Sequence, residues 1–231
     1  MIVHIQQHCA MSSVEPPLYL LPGMTAEYPI FSRLQPLLKN VTVVSFLDPE
    51  PSELLPHYAA RMAEQFTPHC FIGGVSFGGI VALEISRILQ PRGCILISSI
   101  RDPHQLPPWF RAWQILGGRN GGRLLKLMGD LAAVVPRPLR TSSIARIAKL
   151  SGAGGAWHRW ASSAVLDWHP TPGTITCPLV QIHGNADTTF PVRWVTPDVV
   201  IPGGQHALPM SHPRETADAI FAFMTSLPQQ E

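Results

Sequence analysis

A chain of 231 residues is long enough to bury the core of one α/β domain and is shorter than the roughly 250 residues at which cores usually split. Its composition, 45% hydrophobic and 14% charged residues, excludes a largely disordered chain. The formal net charge of +2 gives no reason to expect a nucleic-acid partner, and no nucleic-acid-binding motif occurs. No apolar stretch approaches the roughly 20 residues of a membrane-spanning helix, so we expect no membrane span.

The cysteines and the first residues indicate a reducing compartment. Cys9, Cys70, Cys94 and Cys177 are widely spaced and match neither a zinc site nor a disulfide framework. The opening residues, MIVHIQQHCAMSS, have neither the cationic start nor the continuous apolar core of a signal peptide. We expect buried, reduced thiols in a cytoplasmic protein, with no metal and no organic cofactor.

Apolar runs alternate with amphipathic stretches over the first hundred residues, which is typical of parallel strands joined by helices. The predicted strands there are Leu18–Leu21, Val41–Phe46, Cys70–Ile72 and Cys94–Ile97, with Ile2–Ile5 as a further short candidate. The predicted helices run from about Tyr28 to Leu38, from an N-cap at Ser52 to about Phe66, and from Phe77 to Leu89. We expect Val41–Phe46 to be a central strand.

The pattern changes from Arg101 to about Thr176, where short helical patterns are broken by glycine and proline. We interpret residues 101–176 as a helical cap inserted into an α/β core of residues 1–100 and 177–231, one domain overall. Five of the six tryptophans fall in this cap: Trp109, Trp113, Trp157, Trp160 and Trp168. We expect most of these rings to pack the cap and some to line an apolar substrate cleft.

The cap also carries most of the positive charge. Between Arg101 and His169, ten lysines and arginines against three aspartates give +7, which leaves −5 for the rest of the chain. A solvated basic surface is one explanation. The other is an anionic substrate or carrier, such as an acyl thioester on coenzyme A or on an acidic carrier protein.

The strand and helix pattern resumes after the cap. We predict strands over Leu179–Ile182 and Val199–Ile201 and a closing helix from Pro213 to about Met224. The residues of that helix predicted to face the sheet are Ala217, Ile220, Phe221 and Met224. Together these elements predict a mostly parallel sheet of about six strands with helices on both faces.

The stretch FIGGVSFGGI, Phe71–Ile80, joins an apolar run to a helical pattern through glycines and one serine. Gly74–Gly78 fits G-x-S-x-G, which predicts a sharp strand-to-helix turn with Ser76 at its tip. Amides at the start of the following helix can face a developing negative charge. A glycine-rich turn with an incidental serine is the alternative interpretation.

Three polar residues follow predicted strands, in the order Ser76, Asp187, His206. The carboxyl ends of parallel strands meet at one edge of a sheet, so these side chains can lie close together. A serine hydroxyl becomes a good nucleophile when an imidazole accepts its proton, and a carboxylate holds that imidazole in place. Asp102, which follows the Cys94–Ile97 strand, is a rival for the role of Asp187.

The motifs GGVSFGG, IHGNAD and GGQHALPM resemble those of the α/β-hydrolase superfamily, and the resemblance covers nearly the whole chain outside the cap. It favours Asp187 over Asp102, because HGNAD puts Asp187 in the matching position, and it makes His183 part of a structural turn. Leu21–Met24, LPGM, looks like the oxyanion loop of the superfamily, although many members carry His-Gly there. The N-terminal antiparallel strands of larger members look shortened or absent.

The resemblance implies a serine hydrolase in which the backbone N–H groups of Met24 and Phe77 hold the oxyanion. A serine at the turn argues against dehalogenase and epoxide-hydrolase chemistry, which would need an aspartate there. We therefore expect hydrolysis of a small-molecule acyl ester or thioester through an acyl-enzyme. The alternative is a ligand-binding receptor or scaffold that keeps the fold and catalyses little; acyl length and leaving group stay open.

Overall fold

The computed structural model describes residues 15–24, 29–108, 110, 155–171 and 173–228. Several expectations concern residues outside these ranges: the strand at Ile2–Ile5, Cys9, the helix start at Tyr28, Trp109, Trp113, and eight of the ten cationic side chains predicted for the cap. The boundaries of the cap itself also stay a prediction, because most of residues 101–176 lie outside the described part of the chain.

The described residues contain one six-stranded parallel sheet. Its strands are β1 Leu18–Leu21, β2 Val41–Val43, β3 Phe71–Val75, β4 Gly93–Ile97, β5 Leu179–Gly184 and β6 Val199–Ile201. Their order across the sheet is β2-β1-β3-β4-β5-β6, and every neighbouring pair is parallel. The chain reverses its direction of travel between β1 and β3, so the loops after these two strands leave a crevice at their carboxyl ends.

Helices cover both faces of the sheet, as predicted. They are α1 Leu55–Ala63, α2 Phe77–Leu89, α3 Gly155–Leu166, α4 Leu208–Ser211 and α5 Pro213–Ser226, and short 3-10 helices span Gln35–Leu37, Pro103–Gln105 and Val192–Trp194. One core cluster joins α1, α2 and α3, and a second joins α4 and α5 to the opposite face. Within the described ranges, no helix has the length and apolar character needed to cross a membrane.

The segment between β1 and α1 differs from its prediction in three ways. Instead of a helix up to Leu38, residues 30–38 form turns and one 3-10 turn, because Pro36 has no N–H for an α-helical hydrogen bond. β2 ends at Val43 and is an edge strand, not a central one. Helix α1 begins at Leu55 with Pro56 in its first turn, and Ser52, with a φ of 60°, is not its N-cap.

The aromatic residue of helix α5 that packs against the sheet differs from the predicted one. Ala217 and Ile220 are buried, and Met224 packs partly against the core, but Phe221 is 65% exposed. At about 100° per residue, a stripe centred on Ile220 places Phe221 off the packed face. Phe223 packs there instead, with its ring 6.3 Å from that of Phe71.

Helix α2 also anchors the chain segment that returns from the predicted cap. Glu84 is fully buried, and its carboxylate accepts hydrogen bonds from Trp168 Nε1 at 3.0 Å and from the backbone N–H and hydroxyl of Thr171 at 3.0 and 2.5 Å. Arg87 Nε lies 3.3 Å from the same carboxylate. The helix that begins at the serine turn therefore holds the returning segment.

The cysteines among the described residues are free. Cys70 and Cys94 are buried and Cys177 is partly buried. Burial raises the pKa of the Cys94 thiol to about 12, so this thiol stays protonated at neutral pH.

Candidate active site

Ser76 is the single residue that joins β3 to α2, and its backbone is strained. Its φ of 55° and ψ of −119° lie in a region that non-glycine residues rarely adopt. A Cβ on Gly74 would collide with the backbone of Gly78, and a Cβ on Gly78 would collide with the carbonyl groups of Leu21 and Pro22. The turn therefore needs glycine at both positions, as the sequence predicted.

The side chains of Ser76, His206 and Asp187 form a continuous hydrogen-bonded series. His206 Nε2 lies 2.9 Å from Ser76 Oγ, and His206 Nδ1 lies 2.8 Å from Asp187 Oδ2. A carboxylate can only accept, so Nδ1 carries the proton and Nε2 is left to accept the serine O–H. Residues that are 130 and 19 positions apart in the sequence meet because β3, β5 and β6 end at the same edge of the sheet.

Asp187 is 3% exposed, and its carboxylate is held on both oxygens. Oδ1 accepts the backbone N–H groups of Thr189 at 2.7 Å and Phe190 at 2.9 Å. Oδ2 lies 2.8 Å from His206 Nδ1 and 3.2 Å from His183 Nε2. Burial alone would raise the pKa of the Asp187 carboxyl, but the hydrogen bonds from His183 and His206 outweigh it and hold the pKa well below its ordinary value.

The rival carboxylate has a different role in the structure. Asp102 is the N-cap of the 3-10 helix Pro103–Gln105, where its Oδ1 accepts the backbone N–H of His104 at 2.7 Å. Its side chain is half exposed. The imidazole of His206 faces Asp187, so the geometry agrees with the preference that the motif resemblance gave.

The predicted oxyanion loop lies beside the serine. The parallel register pairs Leu21 with Gly74, and a Cβ on Gly23 would lie 3.8 Å from the Cβ of Ser76. Phe77 is the first residue of α2, where backbone N–H groups have no partner within the helix. The loop of Met24 and the start of α2 thus flank Ser76, and their role as oxyanion donors stays a prediction.

Five aromatic residues, which we call the aromatic cluster, pack beside this loop: Phe46, Tyr58, Phe77, Trp157 and Trp160. Trp157 and Trp160 come from α3, and each ring centroid lies 5.9 Å from that of Phe77. Trp168, by contrast, is buried and bound to Glu84. The described tryptophans of the predicted cap therefore divide into one packing ring and two rings next to the serine turn.

Two residues next to the site were missed by sequence reasoning. His183 was assigned only to a structural turn, yet its Nε2 lies between the carbonyl oxygen of Phe190, at 2.7 Å, and Asp187 Oδ2. The four-residue spacing of His183 and Asp187 in HGNAD was the available signal. Trp157 was named only among the tryptophans of the predicted cap. No local signal pointed to its contact with Met24, because the two residues are 133 positions apart. Across the described ranges, no group of three or more potential ligands could hold a metal ion.

Comparisons with solved structures find proteins of similar fold. A thermophilic esterase from Thermogutta terrifontis is 19% identical, with a TM-score of 0.55 over 91% of this chain and 90% of that chain. A putative non-heme bromoperoxidase, BpoC from Mycobacterium tuberculosis, is 14% identical, with a TM-score of 0.61 over 94% of each chain. The type II thioesterase BorB from the borrelidin biosynthetic cluster is 15% identical, with a TM-score of 0.57 over 92% of this chain and 94% of that chain.

At these identities the structural likeness shows the fold alone. A search of curated proteins found no match. The model of the alpha/beta hydrolase family, however, matches residues 18–219, which is most of the chain and includes Ser76, Asp187 and His206. This chain belongs to the alpha/beta hydrolase family.

Proposed function

We propose that this protein is a serine hydrolase that cleaves a carboxylic ester or thioester through an acyl-enzyme intermediate. The observation that carries the proposal is the contact of 2.9 Å between Ser76 Oγ and His206 Nε2, with Asp187 bound to the other ring nitrogen. Membership of the alpha/beta hydrolase family supports hydrolase chemistry. The similar structures include an esterase and a thioesterase, which supports both substrate classes.

In the first half-reaction Ser76 Oγ attacks the acyl carbon while its proton passes to His206 Nε2. The tetrahedral intermediate carries a negative oxygen, for which the N–H groups of Met24 and Phe77 are the proposed donors. Collapse breaks the bond from the acyl carbon to the leaving oxygen or sulfur, and the leaving group takes the proton from His206. Asp187 stabilises the charged imidazole without taking the proton itself.

In the second half-reaction a water molecule gives a proton to His206 and attacks the acyl carbon of the ester on Ser76. Collapse releases the carboxylic acid, and His206 returns the proton to Ser76 Oγ. Each oxyanion donor contributes to both steps, and loss of one such donor typically costs about 2.7 to 4 kcal/mol of transition-state stabilisation.

The test is turnover of p-nitrophenyl acyl esters and of acyl thioesters of increasing chain length. We expect wild-type activity on at least one series, and a loss on the order of 10⁴-fold or more in Ser76→Ala. Ser211→Ala is the matched control, since this serine is exposed on α4. A Ser76→Ala protein that kept full turnover would disprove the proposed mechanism.

The basic segment between Arg101 and His169 supports a narrower proposal, that the acyl donor is anionic, such as an acyl group on coenzyme A or on an acidic carrier protein. The charge of +7 in this segment is the specific observation. Of its described cations, Arg101 pairs with Asp198, and Arg159 is exposed on α3. A long-range positive field would raise the rate of encounter with an anionic donor.

A further inference from the structure

We propose that Trp157 of α3 is a positioning residue for the oxyanion hole, acting through the backbone of Met24. This inference rests on the proposed function, because it concerns the geometry that a serine hydrolase needs around its oxyanion. The proposal adds one requirement to that function: helix α3, which is distant in sequence, must pack on the loop after β1.

The inference starts from one hydrogen bond. Trp157 Nε1 donates to the carbonyl oxygen of Met24 at 2.8 Å. Ser162, on the same helix, donates to Met24 Sδ at 3.5 Å, so α3 contacts both the main chain and the side chain of this residue. Both contacts fall on the residue whose N–H is a proposed oxyanion donor.

The indole of Trp157 is itself held in place. Its ring centroid lies 4.8 Å from that of Phe46 and 5.9 Å from that of Phe77, which it meets nearly edge to face. The side chain therefore contacts both residues whose N–H groups are the proposed oxyanion donors. It packs against the ring of Phe77 and donates a hydrogen bond to the carbonyl of Met24.

The loop needs such a contact because Gly23 precedes Met24. Glycine has access to many backbone conformations, so the orientation of the Met24 N–H is weakly fixed by the chain itself. The hydrogen bond from Trp157 holds the peptide group that follows Met24, and the contact of Ser162 with Sδ holds its side chain, so the Cα bonded to the Met24 nitrogen is fixed from two sides. Oxyanion donors stabilise a transition state only when they are oriented before charge develops, so the Trp157 hydrogen bond contributes preorganisation.

Trp160 provides a matched control within the same helix. Its ring also lies 5.9 Å from that of Phe77, and its Nε1 also donates at 2.8 Å to a backbone carbonyl. The acceptor, however, is Glu53, just before α1, and not the oxyanion loop. Replacing either tryptophan by phenylalanine removes an indole N–H and part of a ring from the aromatic cluster, but only Trp157→Phe releases Met24.

The experiment compares Trp157→Phe and Trp160→Phe in kcat, KM and inhibition by an arylboronic acid, which forms a tetrahedral adduct with an active serine. Active sites are counted by fluorophosphonate titration, so that unfolded protein does not enter kcat. We expect Trp157→Phe to lower kcat about 10-fold and to leave KM within about twofold of wild type. The inhibition constant of the boronic acid should rise by the same factor by which kcat/KM falls. Trp160→Phe should change kcat by less than about threefold.

Equal effects of the two substitutions, or a Trp157→Phe effect confined to KM or to thermal stability, would overturn the inference and leave a packing role. Such a result would not touch the proposed function, which depends on wild-type turnover. A wild-type protein that neither hydrolyses acyl substrates nor reacts with fluorophosphonate would overturn both.

Discussion

At the scale of single residues, the carboxylate of Asp187 is the most constrained group of the site. Two backbone N–H groups bind one oxygen, and the imidazoles of His206 and His183 face the other. These donors fix the orientation of the carboxylate before any substrate binds. Because the carboxylate in turn orients His206, the geometry at Ser76 depends on donors that never contact the substrate.

The lowered pKa of Asp187 predicts a pH dependence of folding stability. A carboxyl whose folded pKa lies below its unfolded value contributes stability that is present above about pH 4 and is lost as pH falls through the folded pKa. We expect Asp187→Asn to be less stable than wild type by about 2 kcal/mol at pH 7. The difference should shrink as pH falls below about 4, as measured by urea unfolding. A constant difference from pH 7 to pH 3 would contradict this reading.

His183 supplies a second residue-scale prediction. Its side chain is fully buried, and its Nε2–H faces the Phe190 carbonyl and the Asp187 carboxylate. In His183→Phe both acceptors lose this donor, so we expect a stability loss of about 1 to 3 kcal/mol and a fall in kcat of about 10-fold. The measurements are urea unfolding and ester turnover.

The control for this substitution is His104→Ala. His104 is also next to an aspartate, Asp102, but its side chain is 92% exposed. We expect the control to stay within about 0.5 kcal/mol of wild type. Equal behaviour of the two variants would show that His183 adds nothing to the site.

At the scale of elements, α2 links the serine turn to the segment that returns from the predicted cap. Its first residue follows Ser76, and Glu84, near its middle, binds Trp168 and Thr171. Glu84→Ala would leave the buried indole N–H of Trp168 and the partly buried donors of Thr171 without their acceptor. We expect a loss of about 3 kcal/mol in the free energy of unfolding, measured in urea.

Glu64→Ala is the control, because Glu64 is exposed at the end of α1. The structure predicts that this variant is nearly as stable as wild type. If Glu84→Ala matched it, the anchoring role of α2 would be wrong.

The elements that could be predicted from the sequence are those whose burial leaves a continuous or periodic apolar pattern. Helix α2 has the predicted bounds Phe77–Leu89, because it lies between the sheet and other helices and is apolar on most sides. The prediction of a helix up to Leu38 was wrong, because Pro36 has no backbone N–H to donate and the spacing of apolar residues does not show this. The prediction that Val41–Phe46 is a central strand was also wrong, because a run of β-branched residues does not distinguish an edge strand from a central one.

In the site, too, residues that belong to a local sequence pattern could be predicted and contacts between distant segments could not. Ser76, Asp187 and His206 each lie next to a turn motif, so their local sequence was sufficient to select them as candidates. The contact of Trp157 with Met24 depends on how α3 docks, and a single sequence carries no pattern for a contact across 133 positions. Tertiary docking, and not local propensity, decides which tryptophans lie beside the serine.

At the scale of the whole molecule, the uneven distribution of charge predicts a salt effect. If the basic segment steers an anionic acyl donor, kcat/KM for an acyl-coenzyme A should fall severalfold as ionic strength rises from about 0.01 to 0.15 M, because the Debye length shrinks from about 30 to 8 Å. A neutral p-nitrophenyl ester of the same acyl group is the control and should change little. Equal, salt-insensitive values would remove the steering proposal.

The most direct test of the central proposal is reaction with a fluorophosphonate, read by intact mass and by mapping of the modified peptide. A serine activated by His206 and Asp187 predicts a single adduct on Ser76, none in Ser76→Ala, and much slower labelling in His206→Ala. An unlabelled wild-type protein would favour a ligand-binding receptor that keeps the fold. Labelling that persists in Ser76→Ala would show that the reactive serine is not the one at the turn.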